Sequence, residues 1–226
     1  KRMIKEYGAL FVPRGGATAP SVVVFKDSAA VSAFQSSAKG TSASIGGTTL
    51  ELQESAMSHL KEAIAEAEKS EAKITPRGTD SAKRSYDDTV TLWASRVGPG
   101  LTHWVGKERI TAADAERIRK LSPFEQVPEI FRLEEQGIYF AKTLDKSIIY
   151  SVAPPGTSQH LSMLALDVNE HENAKVRQIL GKHGWFQTVV SDLPHFTFLG
   201  VPESDLPKLG LKKRVDGGRT YWVPDI

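Results

Sequence analysis

The chain has 226 residues, 40% hydrophobic and 25% charged, which is ordinary globular composition and long enough for one sizeable core. Its 29 basic and 27 acidic residues leave a formal charge of +2, so no global field points to nucleic acid. No apolar run approaches the ~18–20 residues of a membrane-spanning helix. Cysteine is absent, which excludes thiol nucleophiles, thiolate metal sites and disulfides and leaves histidine and carboxylate as the available metal ligands.

Taken in chain order, residues 9–12 and 21–25 read as short β-branched and aromatic strands, with a turn at Pro13-Arg14-Gly15-Gly16. Residues 28–37 suit a short helix, and the Ser/Gly/Thr-rich stretch 36–49 reads as a surface loop. Between Glu51 and Ser70, Leu52, Ala56, Leu60, Ala63 and Ala67 recur at helical spacing and predict an amphipathic helix. A strand-like Lys73-Ile74-Thr75 breaks at Pro76-Arg77-Gly78. A helix is expected from about Ser85, with Tyr86, Val90, Trp93 and Val97 on one face. Thr111 and Asp114 resemble an N-terminal cap for a helix reaching Leu121, and another helix covers 124–136, ending at Gly137.

The last third changes character. Residues 147–152, 161–168, 186–190 and 195–199 are strand candidates, and 170–182 is a helix closed by Gly184. Helices first and a mostly antiparallel sheet later is an α+β pattern. With no repeat and no linker, residues 1–226 are expected to form one domain.

Chemistry concentrates in two stretches. The first runs Pro155-Gly156-Thr157-Ser158-Gln159-His160 and on to Asp167; the second is Asp192-Leu193-Pro194-His195-Phe196. Two histidines and a carboxylate are a usual ligand set for catalytic zinc, because they leave a position open for water. Asp192, three residues before His195, is the candidate base. A turn at Leu193-Pro194 has to bring it to the same side as His195. The odd spacing of His160 and Asp167 excludes one regular strand and requires a bend near Ser162-Met163.

The run PPGTSQHLSMLALDV resembles the signature of zinc D-Ala-D-Ala carboxypeptidases of the vancomycin-resistance type, within the wider LAS group of metallopeptidases. DLPHFTF is similar to that family's closing Glu-Pro-Trp-His motif. The resemblance covers about residues 73–200 and leaves the first ~70 as an extension without an assigned role. It implies a small, mostly antiparallel sheet carrying the site with helices packed on one side, one zinc ion on His160, Asp167 and His195, and Asp192 as general base. Arg84, in Arg84-Ser85-Tyr86, is the preferred arginine for substrate and oxyanion, with Arg77 second. Ser158 stands where the family's serine supports the site or binds substrate, and Trp185 is a candidate pocket residue. The sequence departs from the family at four places: Asp192 for Glu, Met163 for Gly, Pro194 for Trp and Gln159 for Glu.

The expected activity is therefore hydrolysis of peptidoglycan stem peptides, with D-Ala-D-Ala carboxypeptidase first. The alternatives are a non-catalytic zinc-containing module of the same fold and a zinc hydrolase of non-wall peptides. A serine hydrolase is disfavoured, since Ser158 lacks a nucleophile elbow. A wall substrate and the lack of cysteine suit a periplasmic or extracellular bacterial protein. The chain starts at Lys1 without an initiator Met, and the expectation is a processed product whose signal peptide is gone. His183 is assigned to a helix C-terminus. His59, His103 and His171 have no partner at metal spacing and are assigned to the surface, while Trp93, Trp104 and Trp222 are assigned to packing.

Overall fold

The computed structural model describes all of residues 1–226. The chain begins with α1 (Arg2–Tyr7), a 3-10 turn (Gly8–Phe11) and α2 (Ser28–Ser37). A hairpin of β1 (Gly40–Ile45) and β2 (Thr48–Gln53) leads into α3 (Glu54–Lys69). Three helices follow: α4 (Tyr86–Gly106), α5 (Ala112–Lys120) and α6 (Pro123–Glu134). Then come 3-10 turns at Ile148–Tyr150 and Gln159–Ser162, β3 (Ala165–Asp167), α7 (Ala174–Lys182), β4 (Trp185–Phe186) and β5 (His195–Phe198). A second hairpin, β6 (Leu211–Asp216) with β7 (Arg219–Pro224), ends the chain. Every strand pair is antiparallel, so the α+β expectation holds.

Local sequence explains most of the helices. On α3 the predicted stripe Ala56, Leu60, Ala63 and Ala67 is fully buried, while Leu52 belongs to the preceding strand. Ser85 starts α4 with a capping box: its hydroxyl accepts the Asp88 N–H at 3.1 Å, and the Asp88 carboxylate accepts the Ser85 N–H at 2.7 Å. Thr111 accepts the Asp114 N–H at 3.0 Å to begin α5. Such a cap is worth about 1 kcal/mol.

Several strand expectations fail for identifiable reasons. Residues 9–12 lie in a 3-10 turn and 21–25 form no ladder; Val22 and Val23 are exposed, so β propensity there finds no partner strand. The expected loop at 36–49 is largely the β1–β2 hairpin, turned by Gly46-Gly47, both at positive φ. Residues 147–152 make a 3-10 turn, 161–168 keep only β3, and 186–190 shrink to β4. The β6–β7 hairpin was not anticipated, although Gly217-Gly218, at φ 54° and 75°, is a turn signal.

The chain forms two compact units. One comprises residues 24–31 and 85–158 and contains α4 to α6. There Trp93 and Val97 of α4, Ile118 of α5 and Ile130 of α6 are buried, and the Trp93 indole N–H donates to Gln126 at 3.1 Å. The other comprises residues 1–23, 32–84 and 159–226 and contains the sheet β3-β5-β4. Its core joins the α3 stripe and Val176, Ile179 and Leu180 of α7 to Leu166, Trp185, Phe196 and Phe198 of the sheet. Because strand side chains alternate, the same sheet presents Asp167, His195 and Thr197 to its opposite face.

Candidate metal centre

Two chain reversals build the site. His160 sits in the 3-10 turn Gln159–Ser162, whose His160 carbonyl accepts the Met163 N–H at 3.2 Å. Met163 then takes φ 57°, the left-handed region that usually favours glycine, and the chain enters β3 to reach Asp167. This is the bend that the odd spacing required. At the second reversal the Asp192 carbonyl accepts the His195 N–H at 3.2 Å, closing a turn through Leu193-Pro194. His195 therefore opens β5 directly opposite Asp167.

The three predicted ligands converge. One ligand atom from each of His160, Asp167 and His195 lies within 4.8 Å of the others, and all three residues are buried. His160 Nε2 is 3.4 Å from Asp167 Oδ1, and His195 Nδ1 is 3.2 Å from the same oxygen. The far ring nitrogens fix the tautomers. His160 Nδ1–H donates to the Ala82 carbonyl at 2.7 Å, leaving Nε2 a bare lone pair with no hydrogen-bond partner. Gln159 sets the other ring. Its amide N–H donates to the Tyr7 carbonyl at 3.0 Å, so its Oε1 must face His195 Nε2, 2.8 Å away, and accept that proton. In a neutral His195, Nδ1 is then also a lone pair facing Asp167 Oδ1. Three electron-rich atoms pointing at one another in a dry site repel unless a cation lies between them, so the donor set fits a divalent metal. Imidazoles oriented by carbonyl acceptors on their outer nitrogens are the usual support of such sites.

The electrostatics agree. Burial above all pushes the His160 pKa down and keeps the ring neutral, the form that ligates.

Around these three, Arg84 donates to Asp167 Oδ2 at 2.8 Å, so its guanidinium is engaged by a candidate ligand rather than left free. It also bonds the Asp80 carbonyl at 2.9 Å. Arg77 holds Asp167 through its backbone, N–H to carbonyl at 3.1 Å, while its side chain is exposed. Asp192 is exposed at the turn, and Ser158 is buried. Trp185 lies opposite Phe198 at the other end of β5 from His195 and is 0% exposed, so it packs in the core instead of offering a face to substrate. A cavity of about 670 Å³, lined by Arg177, Lys213, Arg219 and Trp222 among others, includes none of the three ligands.

The first seventy residues contribute directly. Besides the Tyr7 carbonyl, Gln53 holds the reversal by donating from its side-chain amide to the Ser162 carbonyl at 2.8 Å and from its backbone N–H to the Met163 carbonyl at 3.0 Å. Gln35 donates to the Arg84 and Leu161 carbonyls at 2.9 and 3.1 Å. Sequence reasoning gave Gln159 only as a departure and missed Ala82 and Tyr7, because backbone acceptors leave no residue-type signal.

No family model matches the chain, and no curated protein matches it. Among solved structures it is similar to a mutant of the vancomycin-resistance D,D-pentapeptidase VanY, from a VanB-type resistance cassette, in complex with Zn(II). That likeness has 14% identity and a TM-score of 0.41, over 86% of this chain and 89% of the other.

Proposed function

We propose that this chain is a zinc-dependent peptidase that hydrolyses peptidoglycan stem peptides, with D-Ala-D-Ala carboxypeptidase as the first activity to test. The observation that carries the metal is the convergence of His160 Nε2, Asp167 Oδ1 and His195 Nδ1 with both imidazole tautomers set from outside. The wall peptide is supported by the paired motifs around His160 and His195. A bound zinc ion supplies a coordinated water of lowered pKa and polarises a carbonyl.

The chain's own residues supply the rest of the chemistry. Gln159 and the Ala82 carbonyl hold the rings, and Arg84 holds the outer oxygen of Asp167. The Asp192 carboxylate takes the proton from the attacking water and passes it to the leaving amine. Because Arg84 is occupied, Arg77, with its exposed guanidinium, is the better partner for a substrate carboxylate. Ser158, one residue before the turn that carries Gln159 and His160, supports the site or binds substrate. A wall substrate places the protein in the periplasm or outside the cell.

A second reading, a zinc-containing binding module without turnover, is favoured by the shorter, exposed Asp192. Metal analysis coupled to a digest of purified peptidoglycan tests the first reading. The expected outcome is one zinc in the buried site and release of terminal D-Ala, both abolished in His160→Ala and turnover alone abolished in Asp192→Asn. Zinc retention with equal, negligible turnover in wild type and Asp192→Asn establishes the binding module instead. Retention of zinc in the buried site and of full activity by His160→Ala overturns the proposal.

A further inference from the structure

A second cluster of metal-ligating groups lies on the helices that pack behind the sheet. His59 and Glu62 are three residues apart on α3 and share a face, with Glu66 one turn further on. His183 is the C-cap of α7, where Gly184 at φ 77° turns the chain away. One ligand atom from each of His59, Glu62 and His183 falls within 4.8 Å of the others, although His183 is remote from the other two in sequence.

The hydrogen bonds around this cluster repeat the logic of the buried site. His183 Nε2 is 2.9 Å from Glu66 Oε2, and the other Glu66 oxygen accepts from Lys182 at 2.6 Å. A carboxylate can only accept, so Nε2 carries the proton and Nδ1 of a neutral His183 is a lone pair. That Nδ1 lies 3.6 Å from Glu62 Oε2, another acceptor. The His59 ring leans on Phe198, with centroids 5.1 Å apart, and its Nδ1 is shielded from solvent with no hydrogen-bond partner. Lys182 is spent on Glu66, so Glu62 keeps a net negative charge at the cluster. Two imidazoles and a carboxylate, with a further carboxylate on the outer nitrogen of one imidazole, form the pattern of a supported transition-metal site.

We propose that His59, Glu62 and His183 bind a second divalent transition-metal ion, zinc or nickel in preference to magnesium or calcium, and that this ion ties α3 to the end of α7. Imidazole-rich donors select such borderline cations, whereas magnesium and calcium require oxygen. The site shares no residue with the buried one and does not depend on its identity.

Equilibrium dialysis of the full chain at micromolar free zinc, followed by metal analysis, tests this. Wild type is expected to hold two equivalents, and His183→Gln and Glu62→Gln each one, with unchanged circular dichroism confirming that the variants fold. A matching increase in thermal melting temperature on adding zinc is expected in wild type and reduced in both variants. If wild type holds one equivalent and His183→Gln none, this site stands and the buried one does not. Retention of the wild-type stoichiometry by His183→Gln and Glu62→Gln, or filling of this site only at millimolar zinc, overturns the proposal.

Discussion

The two histidine clusters use the same parts in different surroundings. In both, an outer acceptor takes a hydrogen bond from one ring nitrogen and leaves the other facing a carboxylate; the acceptors are the Ala82 carbonyl and Gln159 in one case and Glu66 in the other. The difference is solvent. His160 and His195 are 2% and 4% exposed, whereas His59 and His183 are half-buried and Glu62 is exposed. A dry donor set is preorganised and cannot relieve lone-pair repulsion by admitting water, which favours a cation there. A half-open set can take a water or a proton instead, so a cation proposed there is expected to exchange more readily.

Ligand removal draws the contrast most sharply. His160→Ala is expected to weaken zinc binding at the buried site by more than the roughly 10–100-fold typical of losing an outer partner, while His183→Gln leaves that site's affinity unchanged. Chelator competition on each variant measures both. Next in size, Trp185→Ala is expected to cost about 3–5 kcal/mol of stability. Trp185 packs on Phe198, against which His59 also leans, so the variant should loosen the helix site and spare the buried one. Denaturant unfolding with zinc counts before and after decides this; a lost wall-peptide affinity with unchanged stability would return Trp185 to a substrate role.

Smaller effects separate the outer partners. Gln159→Leu removes the acceptor that fixes His195 and should lower zinc affinity at the buried site by roughly 10–100-fold. Glu66→Gln keeps an acceptor oxygen and sits nearer solvent, so at the helix site the loss should stay below about tenfold. The Lys182 and His183 hydrogen bonds lower the Glu66 pKa, which favours its ionised, accepting form. Equal losses in the two variants would remove the distinction between a dry and a half-open site.

How much of this was legible follows from where the information lies along the chain. The buried candidate ligands fall in two short runs, and the odd spacing of His160 and Asp167 already required the reversal that Met163 makes at φ 57°. Capped, periodic helices were readable for the same local reason, as Ser85 and Thr111 show. His59 was assigned to the surface because its partner His183 comes near it only through the packing of α3 against α7. The Ser- and Thr-rich β1 lacks the β-branched apolar alternation that announces a strand; pairing with β2 makes it one. Residues 21–25 carry that composition but form no strand. The supporting role of the first seventy residues was hidden for a further reason, since it runs largely through backbone carbonyls and amides.

The central claim is that the buried lone pairs await one zinc ion in a fixed arrangement. A crystal structure of the zinc-loaded chain, with anomalous scattering recorded at the zinc edge, tests it most directly. The account predicts a strong peak at about 2.0–2.2 Å from His160 Nε2, Asp167 Oδ1 and His195 Nδ1, with His195 Nε2 still on Gln159. No peak there in a fully loaded crystal, or a His195 ring turned to ligate through Nε2, would contradict it.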